Sequence, residues 1–289
     1  MSILLLCITV NVMIAIIFKL FPRFGINNFQ AIVFNYLTCL LVGTFQLGKF
    51  PIPQDFMSMP WFPYVCFLGL LFIAGFNFNA TATQKIGISY TALVQKLSLI
   101  VPASIAILFY NESVTTLKVA GIIGAILAII LIQLPARNKP VTASVFKQYT
   151  WLILGVYCIA AIIEVLLFYM NVNGISTGSD ISVVSAIFGI AGLTGFIIMI
   201  FNISRGKSEF KFKNVLAGIC LGIPNFYSIY LLLYLLVEGW EASVLFPINN
   251  VGIISVAALL AFLFFQERLN LFKWIGLILS IISILLISM

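Results

Sequence analysis

Lys96 and Glu164 are the two charges that fall well inside long apolar runs, in Leu93-Val94-Gln95-Lys96-Leu97 and Ile163-Glu164-Val165. A charge at mid-bilayer costs about 2.5–3.5 kcal/mol on insertion scales, so such residues face a cavity or a partner. An ammonium there can hold an anionic group of a small molecule. A carboxylate there can take a proton or neutralise the lysine. Two blander readings use the same residues: a fixed ion pair that joins two helices, and a lysine that snorkels to the interface. Amides form the next layer: Asn77, Asn79, Gln95, Asn225, Asn249 and Asn250. Asn249-Asn250 follows Pro247, which removes a backbone N–H and loosens a helix. Each amide alone reads equally well as an interhelical hydrogen bond, about 0.6 kcal/mol on average. As a set they read as the lining of one cavity. Tyr227 and Tyr230 are weaker candidates for a path, whereas tyrosines near span ends, such as Tyr169 and Tyr234, suit an interfacial belt. Asn11 and Asn35 read as ties between helices.

The elements that must position these residues follow from composition. Of 289 residues, 63% are hydrophobic and 8% charged. A soluble domain carries about 25% charged residues, so this chain uses lipid as its solvent. It has no histidine, which excludes imidazole acid–base chemistry and His metal ligands. Cys7, Cys39, Cys66, Cys158 and Cys220 lie singly in apolar runs and read as small packing residues rather than disulfides or metal ligands. No GxxxxGK[ST] loop, HExxH or GxSxG is present, so neither direct use of ATP nor those hydrolases is indicated, and no cofactor is expected. The first residues lack a basic n-region and a small-residue cleavage site, and read as a retained helix. The net charge of +7 does not point to nucleic acid, because the basic residues lie in short loops where they set orientation.

A span needs about 20 apolar residues, and ten are expected, at about 2–20, 29–48, 61–82, 88–110, 115–134, 150–171, 181–203, 213–236, 241–265 and 270–288. Residues 135–147 form the polar midpoint, and 171–180 a small polar link. The hairpin between the fourth and fifth spans is written again between the ninth and tenth. Glu112, Lys118 and Gly121 match Glu267, Lys273 and Gly276 at one offset, 155 (267 − 112). At that offset Gln95 falls on Asn250. The expected fold is therefore an all-α polytopic membrane protein of two five-helix repeats, residues 1–140 and 141–289. An odd span count per repeat inverts the second relative to the first, with a site near the midplane between them. Glu112 and Glu267 read as caps or loop pairs that hold their hairpins.

Twelve basic residues lie in one set of loops, Lys49 and Lys118 in the other, and Lys96 within a span, which accounts for all 15. The positive-inside rule puts the loops of Lys139 and Lys211 in the cytoplasm and both termini outside.

The duplicated hairpin resembles the EamA repeat of the drug/metabolite transporter superfamily. Asn111-Glu112-Ser113 and Gln266-Glu267-Arg268 match its Glu motif at the end of the fourth span of each repeat, and Gly121 and Gly276 the glycine of the fifth. Ser89-Tyr90-Thr91-Ala92-Leu93 and Glu241-Ala242-Ser243-Val244-Leu245 are similar to its small-residue entry to the fourth span. The sequence departs from that pattern where Pro102 and Pro247 take non-equivalent positions and where the ninth span carries about three extra residues. The resemblance implies ten spans, both termini in the cytoplasm, and export of amino acids or related compounds. The charge count and the resemblance thus disagree on orientation.

These readings converge on a secondary transporter of the inner membrane, not an enzyme. It would move a small organic metabolite, with proton coupling through Glu164, uniport and exchange all compatible. Its partners are the substrate and the lipid bilayer. A membrane-embedded enzyme acting on a lipid-linked substrate through Lys96 and Glu164 is the rival, and a non-transporting scaffold the third reading. An inverted repeat argues against the enzyme, and buried charges with matched amides argue against the scaffold. Lys96 and Glu164 sit about eight and fourteen residues into their spans, so their depths differ by about 9 Å. Both are expected to face the interior, near Gln95, Asn250 and Asn77.

Overall fold

A computed structural model describes residues 2–86, 88–133, 148–175, 180–265 and 270–288. The expectations for Glu267, the loop at 135–147 and most of the link at 176–179 fall outside the described residues. The chain folds as helices: α1 (Ser2–Phe24), α2 (Asn28–Leu47), α3 (Phe62–Ile86), α4 (Ile88–Leu97), α5 (Ile100–Tyr110), α6 (Thr116–Gln133), α7 (Thr150–Val172), α8 (Ile181–Ser204), α9 (Phe212–Val237), α10 (Ala242–Phe265) and α11 (Leu271–Ser288). A short 3-10 turn, Phe56–Ser58, lies between α2 and α3. Ten segments among the described residues are long and apolar enough to cross a membrane, with α4 and α5 forming one span. The protein is a multi-pass membrane protein.

The fourth span, expected at about 88–110, is built from two helices, Ile88–Leu97 and Ile100–Tyr110. It tightens at Ser98–Leu99. Pro102 explains the position: it has no N–H for the carbonyl of Ser98, four residues back, and its ring crowds that oxygen. The Ser98 carbonyl accepts instead from Val101 at 3.0 Å, and the Ser98 hydroxyl donates to the Gln95 carbonyl at 2.6 Å. Lys96 therefore sits in the last turn of a half-helix, where a cation is favoured.

Compact packing divides the chain differently from its sequence duplication. One unit holds residues 1–74 and 169–238, the other 75–168 and 239–289. In the first, α2 packs on α8 and α9, and α1 on α9. Among the described residues, the side-chain bonds of Asn11 and Asn35 stay within their own helices. The Asn11 amide donates to the carbonyl of Cys7, and the Asn35 oxygen accepts from Cys39, each within its own helix. Cys7 and Cys39 are buried as small packing residues, but Cys158 and Cys220 are exposed, on helix faces that a bilayer would cover.

In the second unit α6 and α11 pack closely, and two glycines make this approach work. A Cβ at Gly121 would lie 2.6 Å from the Ile287 side chain and 2.9 Å from its backbone nitrogen. A Cβ at Gly276 would lie 2.8 Å from the Ile132 side chain and 3.1 Å from its nitrogen. The start of each helix thus meets the end of the other, so the pair is antiparallel. Gly276 is Gly121 plus 155, and Ile287 is Ile132 plus 155, so the contact exchanges with itself.

The start of α10 is held from outside. Asn111 ends α5 in the left-handed region (φ 52°), which Asn tolerates better than most residues. The chain then delivers Glu112 to α10. Its carboxylate accepts from the backbone N–H of Ala242 at 2.7 Å and of Ser243 at 2.9 Å, and from the Ser243 hydroxyl. Val244 and Leu245 N–H groups bond the Glu241 carbonyl at 3.0 and 2.8 Å. Ala242, Ser243 and Val244, three of the donors that a helix start leaves open, are thus satisfied, and Leu245 makes the first bond of the regular helix. Glu112 is thus a cap, but of a helix 130 residues away, not of its own hairpin. Lys118, 4% exposed, donates to the Ser113 carbonyl at 2.8 Å and to the Glu241 carboxylate.

Candidate functional site

Three of the residues singled out by type form one chain of contacts within the second unit. Lys96 Nζ donates to Asn250 Oδ1 at 2.9 Å, and Asn250 Nδ2 donates to Glu164 Oε1 at 3.3 Å. A neutral amide bridges the two charges, oxygen to the cation and N–H to the anion. α4 presents Lys96 from its last turn, α7 supplies Glu164 from mid-helix, and α10 supplies Asn250, which is 2% exposed. Glu164 Oε2 is buried and has no hydrogen-bond partner among the described residues. An ionised carboxylate has room for several donors, so this oxygen is the incomplete position of the cluster.

A second pair lies beside it in sequence. Asn79 Nδ2 donates to Gln95 Oε1 at 2.9 Å, joining α3 to α4. Asn77 is exposed, with its carbonyl accepting from the Thr81 hydroxyl at 2.8 Å. Two positions apart on a helix is about 200° of rotation, so Asn77 and Asn79 cannot share a face. Asn249 is 6% exposed, next to Asn250 on α10. Asn225 and Tyr227 belong to the first unit. The Asn225 amide lies 3.8 Å from Cys39 Sγ, and Tyr227 stacks edge-on against Phe226 and Tyr230.

Two and five residues before Lys96, Val94 and Thr91 help line a notch with Ala82, Ile86, Tyr90, Ile153 and Val156. Its volume of about 10 Å³ admits one water at most.

Sequence reasoning missed the partner of Glu112 and the pairing of Lys118 with Glu241. No local signal marks either, since both partners lie more than 120 residues away.

The comparisons fit this architecture. A protein of Haemophilus influenzae described as uncharacterized is 26% identical over 293 residues, covering 97% of this chain and 95% of that one. A crystal structure 14% identical superposes with a TM-score of 0.76 over 100% of this chain and 98% of that one, a likeness of fold. The EamA-like transporter family matches residues 1–134 and again 147–289. With the fold and the duplicated match in agreement, the chain belongs to the EamA-like transporter family of the drug/metabolite transporter superfamily.

Proposed function

We propose that this chain is a secondary transporter that carries a small organic metabolite, an amino acid or a related compound, outward across the inner membrane by alternating access. Family membership supports transport of small molecules. The observation that carries the finer reading is the incomplete Lys96–Asn250–Glu164 cluster. A substrate anion competes with the Asn250 oxygen for Lys96, and a substrate donor, or a proton, meets the open Glu164 oxygen. Exchanging the neutral amide oxygen for an anionic one adds the attraction of opposite charges to a bond whose donor is already an ammonium. Gln95, Asn79 and Asn249 extend the polar surface of the same unit.

In this reading the two five-helix repeats, residues 1–140 and 141–289, are inverted copies that rock about the site. The self-exchanging, antiparallel contact of α6 with α11 supports it. The basic loops, Lys211 among them, face the cytoplasm. An impermeant thiol reagent added outside intact cells should leave Lys211→Cys unlabelled in a cysteine-free chain, and ready labelling would reverse the orientation.

The decisive measurement uses purified protein in liposomes, with a broad set of metabolites compared for uptake and efflux. A concentrated, saturable flux of one class is expected, and Glu164→Gln should make that flux insensitive to an imposed pH gradient if protons are coupled. Absence of any flux that Lys96→Met removes would end this reading.

A further inference from the structure

We propose that Glu112 is a positioning residue for the Lys96–Asn250–Glu164 cluster: by seating the first turn of α10 it sets the register at which Asn250 stands between the two charges. The proposal rests on the transport-site reading of that cluster. It begins with an accounting of hydrogen bonds. Glu112 supplies two of the four acceptors that the start of α10 needs, and also takes the Ser243 hydroxyl. Pro247 removes the N–H that the Ser243 carbonyl would otherwise accept from within the helix. The first turn is thus held less by its own helix and more by Glu112. Ala242 and Ser243 are fully buried there, so water does not substitute for the carboxylate.

Asn250 stands eight residues beyond Ala242, about 12 Å along the axis. A slip of one residue would move it by about 1.5 Å and 100°. Neither the 2.9 Å bond from Lys96 nor the 3.3 Å bond to Glu164 survives such a shift. The same span that carries Glu112 at its end carries Lys96 before the Ser98–Leu99 turn. It therefore grips α10 twice, at Ala242–Ser243 and at Asn250. The tight turn between the two grips gives the Lys96 end freedom that the Glu112 end lacks. Glu112 makes the fixed contact, and Lys96 the one a substrate can replace.

Lys96 itself reports on this arrangement without any need to know the substrate. Full-length protein in liposomes is treated at fixed pH with acetic anhydride, and the modified fraction of Lys96 is read by peptide mass spectrometry. Asn250→Ala sets the full effect. Glu112→Gln should raise Lys96 acetylation at least about threefold towards that level, because the bridging amide no longer stands in place. Ser243→Ala should give a smaller rise, and Glu112→Asp should restore part of the protection. Lys118→Met cuts the neighbouring Glu241 pair but leaves the Glu112 cap, so it should not change the rate at Lys96. Lys213, bonded to the Phe24 carbonyl in the other unit, is the internal reference. A Glu112→Gln protein with unchanged melting and unchanged Lys96 acetylation overturns the proposal. If that variant does not fold, Ser243→Ala with wild-type acetylation does the same. Normal flux through Lys96→Met would instead overturn the transport reading and leave this positional result standing.

Discussion

Two polar clusters, one in each compact unit, solve the problem of buried polar groups in opposite ways. In the first unit, Gln30 and Asn214 are 1% and 0% exposed. Asn214 Nδ2 donates to Gln30 Oε1 at 2.6 Å, and Asn214 Oδ1 accepts from the Asn27 N–H at 3.0 Å. Gln30 Nε2 serves both the Ser208 hydroxyl and the Glu209 carbonyl, at 2.8 and 2.7 Å. These amides are neutral, and both donors of Gln30 are used. In the second unit, Lys96 and Glu164 are ionisable, and one carboxylate oxygen has no hydrogen-bond partner among the described residues. A saturated buried network fixes one arrangement. A charged one with an open acceptor fits a site that is completed from outside. The difference separates amides that hold helices from groups that bind.

The largest expected effect tests the open cluster. Lys96→Met should lower flux of an anionic or zwitterionic substrate by about ten- to a hundredfold, the loss of one hydrogen bond to a charged group. The protein should still insert and melt near the wild-type temperature. Liposome flux and a melting curve read both, and a large fall in melting with normal flux per folded molecule would place Lys96 with the structural amides. Next comes the saturated cluster. Asn214→Leu strands the Asn27 N–H and leaves the Gln30 oxygen only the long 3.5 Å bond from the Lys211 N–H, at about 1–3 kcal/mol for a buried group left unpaired. Denaturant titration in detergent should show that loss, while flux per folded molecule stays within about twofold.

A packing test comes third. Gly121→Ala and Gly276→Ala should each cost about 1–3 kcal/mol, since the added methyl meets backbone as well as side chain. The exchanging contact predicts nearly equal losses, and very unequal melting shifts would show that the two sides do not bear on each other alike. The smallest effect concerns Glu241. Burial raises its carboxyl, but hydrogen bonds from Lys118 and Ser113 and the Lys118 charge outweigh that and hold it below the usual value. A lowered carboxylate stabilises the fold above its unfolded pKa and loses that contribution as pH falls through the folded one. The group is 36% exposed, so the contribution is a fraction of a kcal/mol. Melting should fall slightly more on acidification in wild type than in Lys118→Met.

What the sequence made legible follows the range of the physics. Ten apolar runs announce themselves because hydropathy is local, and Lys96 and Glu164 stand out because charge in such runs is rare. The offset of 155 pointed to Asn250 through Gln95. It could not say that Asn250 would bridge the two charges, because that depends on three helices meeting. The tightening at Ser98–Leu99 was written in Pro102, four residues on, but hydropathy averages over it. Asn77 was grouped with Asn79 by composition, and helical rotation separates them. The Glu112 cap was hidden for a different reason. Its residue type suggests a cap, but nothing local says which helix start will arrive beside it.

The contact between α6 and α11 has a consequence for descent. Gly121 meets Ile287, and Gly276 meets Ile132, so each segment offers a glycine notch and an isoleucine knob to the same features of its counterpart. That is the self-complementary surface of a two-fold dimer. Two separate half-length chains, each carrying one such segment, would already possess both sides of this interface. Joining them end to end would preserve the surface and remove only the need for two molecules to find each other.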